Sequence, residues 1–401
     1  MSSFLRNAIV LGLLAAVGPF AIDMYLPALP AIASDLGAST AATQMTLMVF
    51  FVAFGVFQLA FGPLSDMLGR KVPLYFGLSV FAVGSVGCAL APSIEWLIAG
   101  RVVQGVGAAA LAVIPRAIIR DLHTGTEATR LMATVMLVFS VSPILAPLAG
   151  SAVIGPFGWR AIFLAVTVAA VLALAMVAFL LPETRPKSQR LPLSFGNAFG
   201  GFGTLLRDSR FLGLTFIGGF GMASFFAFLA SSSFVYIDHF GLTPMQYSLA
   251  FSLNAVGFIG ASQFAAKAGE RFGMARVVVT AVSVYTFFAL ALFAVTASGV
   301  DSLPVLMTGL FFAFASLGLV IPSTMVLSLE EHGPIAGMAS ALGGTLQFLS
   351  GAVTITVASV FFDGTSLPMV TVIASCAVAA LVLSLVTPPP RVALRGAQPA
   401  E

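Results

Sequence analysis

Long apolar stretches follow one another along the whole chain, and short polar segments separate them. A helix that crosses a bilayer needs about 20 mostly apolar residues. The pattern therefore predicts an all-α membrane protein with about twelve transmembrane helices. The predicted spans are residues 8–30, 43–63, 73–91, 94–119, 128–152, 160–181, 211–235, 245–266, 275–297, 304–328, 335–361 and 367–387.

The composition excludes a water-soluble protein. Of the 401 residues, 59% are hydrophobic and 8% are charged, whereas a soluble domain carries roughly 25% charged residues. Cys88 and Cys376 each lie inside an apolar stretch, where a free thiol behaves as a small hydrophobic group. Two such cysteines indicate neither a disulfide framework nor a metal site, and no cofactor is expected.

The basic residues lie mainly on one side of the predicted membrane. Lysine and arginine accumulate in cytoplasmic loops, so we expect a bacterial inner-membrane protein with both termini in the cytoplasm. They do not cluster with aromatic residues in a polar domain, so the net charge of +3 indicates no nucleic-acid partner. With the N-terminus inside, sixteen of the 18 Lys and Arg residues are cytoplasmic: Arg6, Arg70, Lys71, Arg116, Arg120, Arg130, Arg185, Lys187, Arg190, Arg207, Arg210, Lys267, Arg271, Arg276, Arg391 and Arg395.

The longest polar connection follows the sixth predicted span. It predicts a first six-helix bundle at residues 1–184, a cytoplasmic linker at 185–210 and a second bundle at 211–401. A weak internal repeat supports this division, because Asp66 and Gly69 after span two recur 204 residues later as Glu270 and Gly273 after span eight. Parallel six-helix repeats with a substrate site between them are one construction of secondary transporters.

The segment after span two carries the most specific motif in the chain, and it reads Gly62-Pro63-Leu64-Ser65-Asp66-Met67-Leu68-Gly69-Arg70-Lys71. It resembles the signature loop of the major facilitator superfamily, G-x-L-x-D-x-x-G-R-[KR]. Glycines permit a tight turn between helices, and the two basic residues favour the cytoplasmic side.

The resemblance implies that this segment is a conformational latch between the two halves. Asp66 would face the positive N-terminus of a helix, and the candidate is the helix start at Gly333-Pro334. A turn that only sets the topology is the alternative. The predicted latch residues are Gly62, Asp66, Gly69, Arg70 and Lys71.

Span four contains Arg101, Gln104 and Gly105, which resemble the R-x-x-Q-G motif of the fourth helix of the same superfamily. A charge at membrane depth is costly unless it faces a cavity or a partner. Asp23 is the only acidic residue predicted inside a span and away from its ends. Both charges lie about seven residues from the same end of their spans, or roughly 10 Å below the membrane boundary at 1.5 Å per residue. This common depth allows them to meet across the first six-helix bundle.

Desolvation favours the protonated form of a carboxyl group, and a nearby guanidinium favours the carboxylate. Asp23 is therefore the candidate proton carrier, and Arg101 is the candidate that modulates its proton affinity. A static ion pair is the alternative for Asp23, and packing against backbone carbonyls is the alternative for Arg101.

Span five contains Pro143 and, at the spacing of a known motif, Ala133, Ser142, Ala146-Pro147 and Gly150-Ser151. These residues resemble the drug-antiporter motif G-x8-G-x3-G-P-x2-G-G, with the proline and one glycine kept and with alanine or serine at the other positions. Small residues let helices approach closely, and proline lets a helix bend. Ordinary close packing is the alternative explanation.

Together, the three motifs and the Asp-Met-Tyr-Leu-Pro-Ala-Leu-Pro segment of span one resemble the drug:proton antiporter branch of the major facilitator superfamily. The bicyclomycin and chloramphenicol resistance (Bcr/CflA) subfamily is the most similar group. The resemblance implies a monomeric multidrug efflux transporter, made of two six-helix bundles, that exchanges a small lipophilic compound for protons. The specific motifs all lie in the first 151 residues.

Polar and aromatic side chains inside the spans are candidates for the substrate cavity. Polar groups at this depth either line a cavity or form hydrogen bonds between helices, and aromatic groups can instead pack in the core or face lipid. The candidates are Tyr25, Gln58, Gln104, Phe225, Tyr236, Asn254 and Gln347.

Four other functions were weighed as alternatives. A proton-coupled metabolite or nutrient transporter, either an exporter or a symporter, would have the same fold. An enzyme is disfavoured because His123, His239 and His332 all fall in predicted loops, and ATP-driven transport is disfavoured because no G-x4-G-K-[ST] loop occurs. A receptor or structural role is the last alternative.

Overall fold

The computed structural model describes residues 3–123, 125–190 and 201–388. In these ranges the chain is helical and contains no β-strand, and twelve helical units are long and apolar enough to cross a membrane. The predicted number of spans is therefore confirmed. Arg391 and Arg395, and residues 191–200 of the predicted linker, lie outside the described residues.

Nine of the spans are single α-helices, and three are interrupted or change helix type. Span one consists of helix Ser3–Asp23, the 3₁₀ turn Leu26–Ala28 and helix Leu29–Asp35. Span seven is helix Ser209–Ser233 followed by the π-helix Phe234–His239, and span eight is Pro244–Ser262 followed by Ala265–Phe272. The other helices are Thr40–Leu68, Lys71–Ala89, Ile94–Leu122, Gly125–Phe157, Arg160–Phe179, Met274–Ala297, Leu303–Glu330, Ala336–Phe361 and Leu367–Val386.

Side-chain caps define where several spans begin. Ser39 and Ser93 accept hydrogen bonds from the backbone N–H groups of Ala42 and Trp96 at the starts of spans two and four. Thr243 and Gln246 form a reciprocal capping box at the start of span eight. Each such cap stabilises a helix by about 1 kcal/mol, so the helix starts are specified locally.

The two groups of six spans use the same internal packing. In the first group, spans two and three pack against span four, and span three packs against span six. In the second group, spans eight and nine pack against span ten, and span nine packs against span twelve. The two groups contact each other mainly through spans two and eleven and through spans five and eight.

The weak sequence repeat is also visible in the backbone. Gly69 follows helix Thr40–Leu68 with a φ of 89°, and Gly273 follows helix Ala265–Phe272 with a φ of 85°. Only glycine adopts this left-handed conformation without strain. The 204-residue repeat therefore places the same tight turn after spans two and eight.

The signature motif after span two is mostly helical, whereas its sequence predicts a loop. Residues 62–68 continue the helix of span two, which contains Pro63, and the turn is confined to Gly69 and Arg70. The prediction that Gly62 contributes to the turn is therefore wrong. Hydropathy marks the end of the apolar stretch, whereas the helix continues until Gly69 changes the chain direction.

For the description of the site, the side of the membrane on which spans one and seven begin is called the terminal face. The opposite side, on which span one ends at Asp35, is called the far face.

Candidate functional site

Asp23 lies at the point where the first helix of span one ends. Pro27, four residues later, has no N–H group to donate to the Asp23 carbonyl, so the regular helix cannot continue. The chain turns through Met24 and Tyr25 before the 3₁₀ turn. The spacing of proline and aspartate therefore places a helix break next to a carboxyl group that is only 6% exposed.

Arg101 reaches span one at the level of this break. Its Nη1 donates a hydrogen bond of 3.2 Å to the carbonyl oxygen of Ala21 and another to Oε1 of Gln104. The guanidinium also lies over the ring of Tyr25, 4.7 Å from its centroid. Arg101 thus bonds to a backbone carbonyl two residues from Asp23, which is the alternative given for it. A contact with Asp23 itself stays a prediction.

The guanidinium of Arg101 is only partly hydrogen-bonded. No ion pair joins it to Asp23 among the described residues, and within the same ranges its Nε and Nη2 atoms have no hydrogen-bond partner. Arg101 itself is fully buried. These two nitrogens are therefore donors that a carboxylate could satisfy.

The span-five motif packs directly against the helix break. A Cβ atom at Gly150 would overlap the carbonyl oxygen of Met24 and lie 2.9 Å from its carbonyl carbon. The carbonyl of Pro147 accepts a hydrogen bond of 2.8 Å from Ser248 in span eight. Pro143 lies in the same helix, one turn before Pro147. Span five thus connects the Asp23 region to the second half of the molecule.

The second half brings two tyrosines to this region. Tyr247 belongs to span eight, which contacts the 3₁₀ turn that follows Asp23, and its hydroxyl bonds to Ser232 at 3.0 Å. The ring of Tyr236 meets the ring of Tyr247 edge to face at 5.9 Å, and Asn254 lies beside the Tyr236 hydroxyl. Tyr236 and Asn254 therefore form one buried group with Tyr247, which the sequence analysis did not select.

The other predicted cavity residues do not converge on a single point. Tyr25 and Gln104 are buried inside the first half, bonded to Thr46 and Ser85. Phe225 packs among phenylalanines of the second half.

Two of the predicted amides lie on spans two and eleven, but they face different neighbours. Gln58 donates to the Thr345 hydroxyl at 3.3 Å, across the two halves. Gln347 packs over Gly218, and a Cβ atom at that glycine would lie 3.0 Å from its amide nitrogen. The polar candidates thus form separate groups.

The predicted latch residues form a charged network at the terminal face. Asp66 pairs with Arg70 at 2.8 Å and with Arg185 at 3.0 Å, and Arg70 also pairs with Asp121 at 2.7 Å. All of these partners belong to the first six spans or to the connection that follows them. A contact between Asp66 and the helix start at Gly333 therefore stays a prediction for another conformation.

Glu183 completes this network, and the sequence analysis missed it. Its carboxylate accepts hydrogen bonds from the backbone N–H groups of Arg70 and Lys71, at 2.9 and 3.2 Å. Partial burial acts to raise the pKa of Glu183, but these donors and the N–H of Arg185 hold it below its ordinary value. The signal was the Pro182-Glu183-Thr184-Arg185 segment, where an acidic residue stands in a basic connection.

A cavity of about 650 Å³ lies between spans one and six. Its lining is apolar, from Leu13 near the terminal face to Phe20 and Met24 at the helix break. Leu172 and Phe179, which line the opposite wall, are exposed at the surface of the protein. The cavity is therefore a groove that opens at the side of the protein. It lies beside the buried group of Tyr236, Tyr247 and Asn254 and does not include it.

The family model and the curated relatives that match this chain identify the same family. Residues 11–355 match the family model described as Major Facilitator Superfamily. The chain is 36% identical over 354 residues to the uncharacterized MFS-type transporter YdgK of Bacillus subtilis (strain 168), with 87% of each chain covered. It is 32% identical over 379 residues to the bicyclomycin resistance protein homolog of Haemophilus influenzae, covering 92% of this chain and 93% of that one.

Solved structures agree on the fold. The crystal structure of a D-xylose-proton symporter superposes with a TM-score of 0.78, at 15% identity, over 97% of this chain and 98% of the other. The twelve-span architecture, the motifs and these matches lead to one conclusion. The chain belongs to the major facilitator superfamily and is a multi-pass membrane transporter, not an enzyme.

Proposed function

We propose that this transporter exports small lipophilic organic compounds across the bacterial inner membrane in exchange for inward-moving protons. The observation that carries the proposal is the buried Asp23 carboxyl at the break in span one. An ionisable group inside a span is costly and marks an ion pathway. The relative from Haemophilus influenzae is named as a bicyclomycin resistance protein homolog, which supports a drug-like substrate.

Asp23 would carry the proton, and Arg101 would control its release. When the two groups are apart, desolvation favours the protonated carboxyl. When they approach, the free Nε and Nη2 donors of Arg101 stabilise the carboxylate, and the proton leaves. Span one is interrupted at Asp23, so a movement of this short segment can change the distance without moving a whole helix.

The contacts between the halves supply the second part of the proposal. Ser248 and Ser252 of span eight donate to the carbonyls of Pro147 and Ile144 in span five. This contact between spans five and eight lies next to Gly150 and therefore next to the helix break at Asp23. Separation of the two spans would open the far face. The Asp66 network would then be free to contact span eleven at the terminal face.

Orientation and assembly belong to the same proposal. The basic residues of the Asp66 network and of the following connections lie at the terminal face, which we assign to the cytoplasm. Both termini would then be cytoplasmic. The protein would act as a monomer, because the substrate path lies between the halves of one chain. Its partners would be a drug-like compound, protons and the lipid bilayer.

The proposal is tested with everted membrane vesicles that contain the protein, in which addition of a transported drug releases protons. Asp23→Asn is expected to abolish drug-induced proton release, because an amide cannot carry the proton. Asp35→Asn is the matched control, since Asp35 lies in the same span but forms an exposed ion pair with Arg160. Proton release that persists in Asp23→Asn would remove Asp23 from the mechanism.

Uptake of a nutrient by symport is the alternative within the same fold. The two directions differ in their response to an uncoupler. Accumulation of a labelled substrate in cells rises on uncoupling if the protein is an exporter, and it falls if the protein is a symporter.

A further inference from the structure

Four phenylalanines form an aromatic cluster where the two halves meet. The cluster consists of Phe51 and Phe54 of span two, Phe226 of span seven and Phe348 of span eleven. Phe51 and Phe226 stack nearly parallel, with 4.2 Å between ring centroids and 9° between ring planes. Phe348 lies 4.6 Å from Phe54 and 5.4 Å from Phe226. The cluster therefore joins the two halves through ring faces.

Two glycines make this close contact possible. A Cβ atom at Gly55 would lie 2.9 Å from the Cβ of Phe348, and one at Gly351 would overlap the ring of Phe226. Any larger residue at either position would push the rings apart. The two glycines thus leave space, one in each half, for a phenylalanine of a neighbouring helix.

The stack between Phe51 and Phe226 lies across a boundary that has to separate during transport, and this step rests on the proposed function. Both rings are buried, with exposures of 1% and 3%. When the halves move apart, two flat apolar faces lose their partners. A flat aromatic molecule inserted between them would cover both faces, whereas a molecule with saturated rings would not stack on either.

The charges and polar groups near the cluster favour an uncharged ligand. The guanidinium of Arg101 lies 4.3 Å from the ring centroid of Phe50, which itself meets the ring of Phe51. This positive charge disfavours a cation in the cluster. Gln58 lies one helical turn after Phe54, whereas the amide of Gln347 packs against Gly218 of span seven, inside the second half. The bordering polar group is thus the neutral amide of Gln58, which can bond to a polar atom at the edge of a ring.

The geometry points to a substrate subsite for neutral, planar aromatic heterocycles between Phe51 and Phe226, with Gln58 at its edge. This subsite deepens the proposed function by naming the substrate class. It does not depend on proton coupling, so its test can fail while the coupling experiment succeeds, and the reverse.

The test is the binding of acridine, a flat three-ring heterocycle, to the purified protein in lipid nanodiscs, measured by isothermal titration calorimetry. Octahydroacridine, in which the two outer rings are saturated, is the matched ligand, and both are titrated at alkaline pH, where both ring nitrogens are unprotonated. We expect the wild-type protein to bind acridine more tightly than octahydroacridine. Phe226→Leu and Phe51→Leu should each weaken acridine binding by roughly twofold to tenfold, the range for one aromatic pair, and leave octahydroacridine binding unchanged.

Phe228→Leu is the control variant. Phe228 lies on the same helix as Phe226 but stacks on Phe251 inside the second half, at 5.6 Å. It should leave the binding of both ligands unchanged, and thermal unfolding checks that all three variants are folded. Absence of acridine binding to the wild-type protein would overturn the subsite. An equal loss of both ligands in Phe226→Leu, or unchanged acridine affinity in both cluster variants, would also overturn it.

Discussion

Arg101 is a single residue whose geometry cannot be reproduced by another cation. It is fully buried, bonds Ala21 and Gln104 through one nitrogen, and is covered by aromatic rings. Arg101→Lys keeps the charge but loses the planar fork of donors. We expect it to lower the free energy of unfolding by about 1.5–3 kcal/mol, the value for hydrogen bonds to charged groups, as measured by denaturant unfolding in detergent.

The exposed Arg160 provides the comparison for this prediction. It pairs with Asp35 at 2.6 Å on the far face, where both side chains are more than 40% exposed. Arg160→Lys should cost less than about 1 kcal/mol, because surface ion pairs contribute little. Equal losses in the two variants would show that the buried hydrogen bonds of Arg101 are not special.

Single residues also show how far sequence reasoning extends. Counting residues along spans one and four predicted the common depth of Arg101 and Asp23, because helix rise is fixed at 1.5 Å per residue. A backbone carbonyl was one of the two partners considered for Arg101, but that it is the carbonyl of Ala21 could not be predicted. It depends on the rotation of two helices about their axes and on the irregular turn after Asp23, and neither follows from hydropathy.

At the scale of helices, Gly150 determines how span five packs against the break in span one. A methyl group at this position would overlap the Met24 carbonyl. Gly150→Ala should therefore lower the melting temperature, with an overpacking cost of about 1–3 kcal/mol, and slow drug efflux by displacing the Asp23 turn. Both effects can be measured by thermal unfolding of the purified protein and by dye efflux from cells.

Gly155 is the matched control on the same helix. No atom lies within 4 Å of a Cβ built at this position. Gly155→Ala should leave both the melting temperature and efflux unchanged or slightly improve stability, since alanine favours a helix over glycine. If Gly150→Ala behaved like Gly155→Ala, the packing of span five would not control the break.

Hydropathy predicted the existence and order of the helices but not their irregularities. The π-helix at Phe234–His239 and the long continuation of span two through Leu68 both went unpredicted. The reason is physical. An apolar stretch reports where the membrane is, whereas helix type and helix end are set by backbone hydrogen bonds and by single residues such as Gly69.

For the whole molecule, the sequence indicated two similar halves but not how they meet. The 204-residue repeat and the long polar connection follow from the chain alone. The aromatic cluster does not, because Phe51, Gly55, Phe226 and Phe348 look like ordinary apolar residues of three different spans. Only their three-dimensional arrangement distinguishes them from the other phenylalanines among the 37 in the chain.

If the two halves must separate at the contact between spans two and eleven, a covalent bond across that contact should stop transport. A Cβ at Gly55 would lie 2.9 Å from the Cβ of Phe348, so a small outward shift reaches the roughly 3.5–4.5 Å that a disulfide requires. The double variant Gly55→Cys with Phe348→Cys should lose efflux after oxidation and recover it after reduction. Each single variant should respond to neither treatment, because the native Cys88 and Cys376 are buried. Efflux that continues after mass spectrometry has established the disulfide would mean that transport proceeds with spans two and eleven held together.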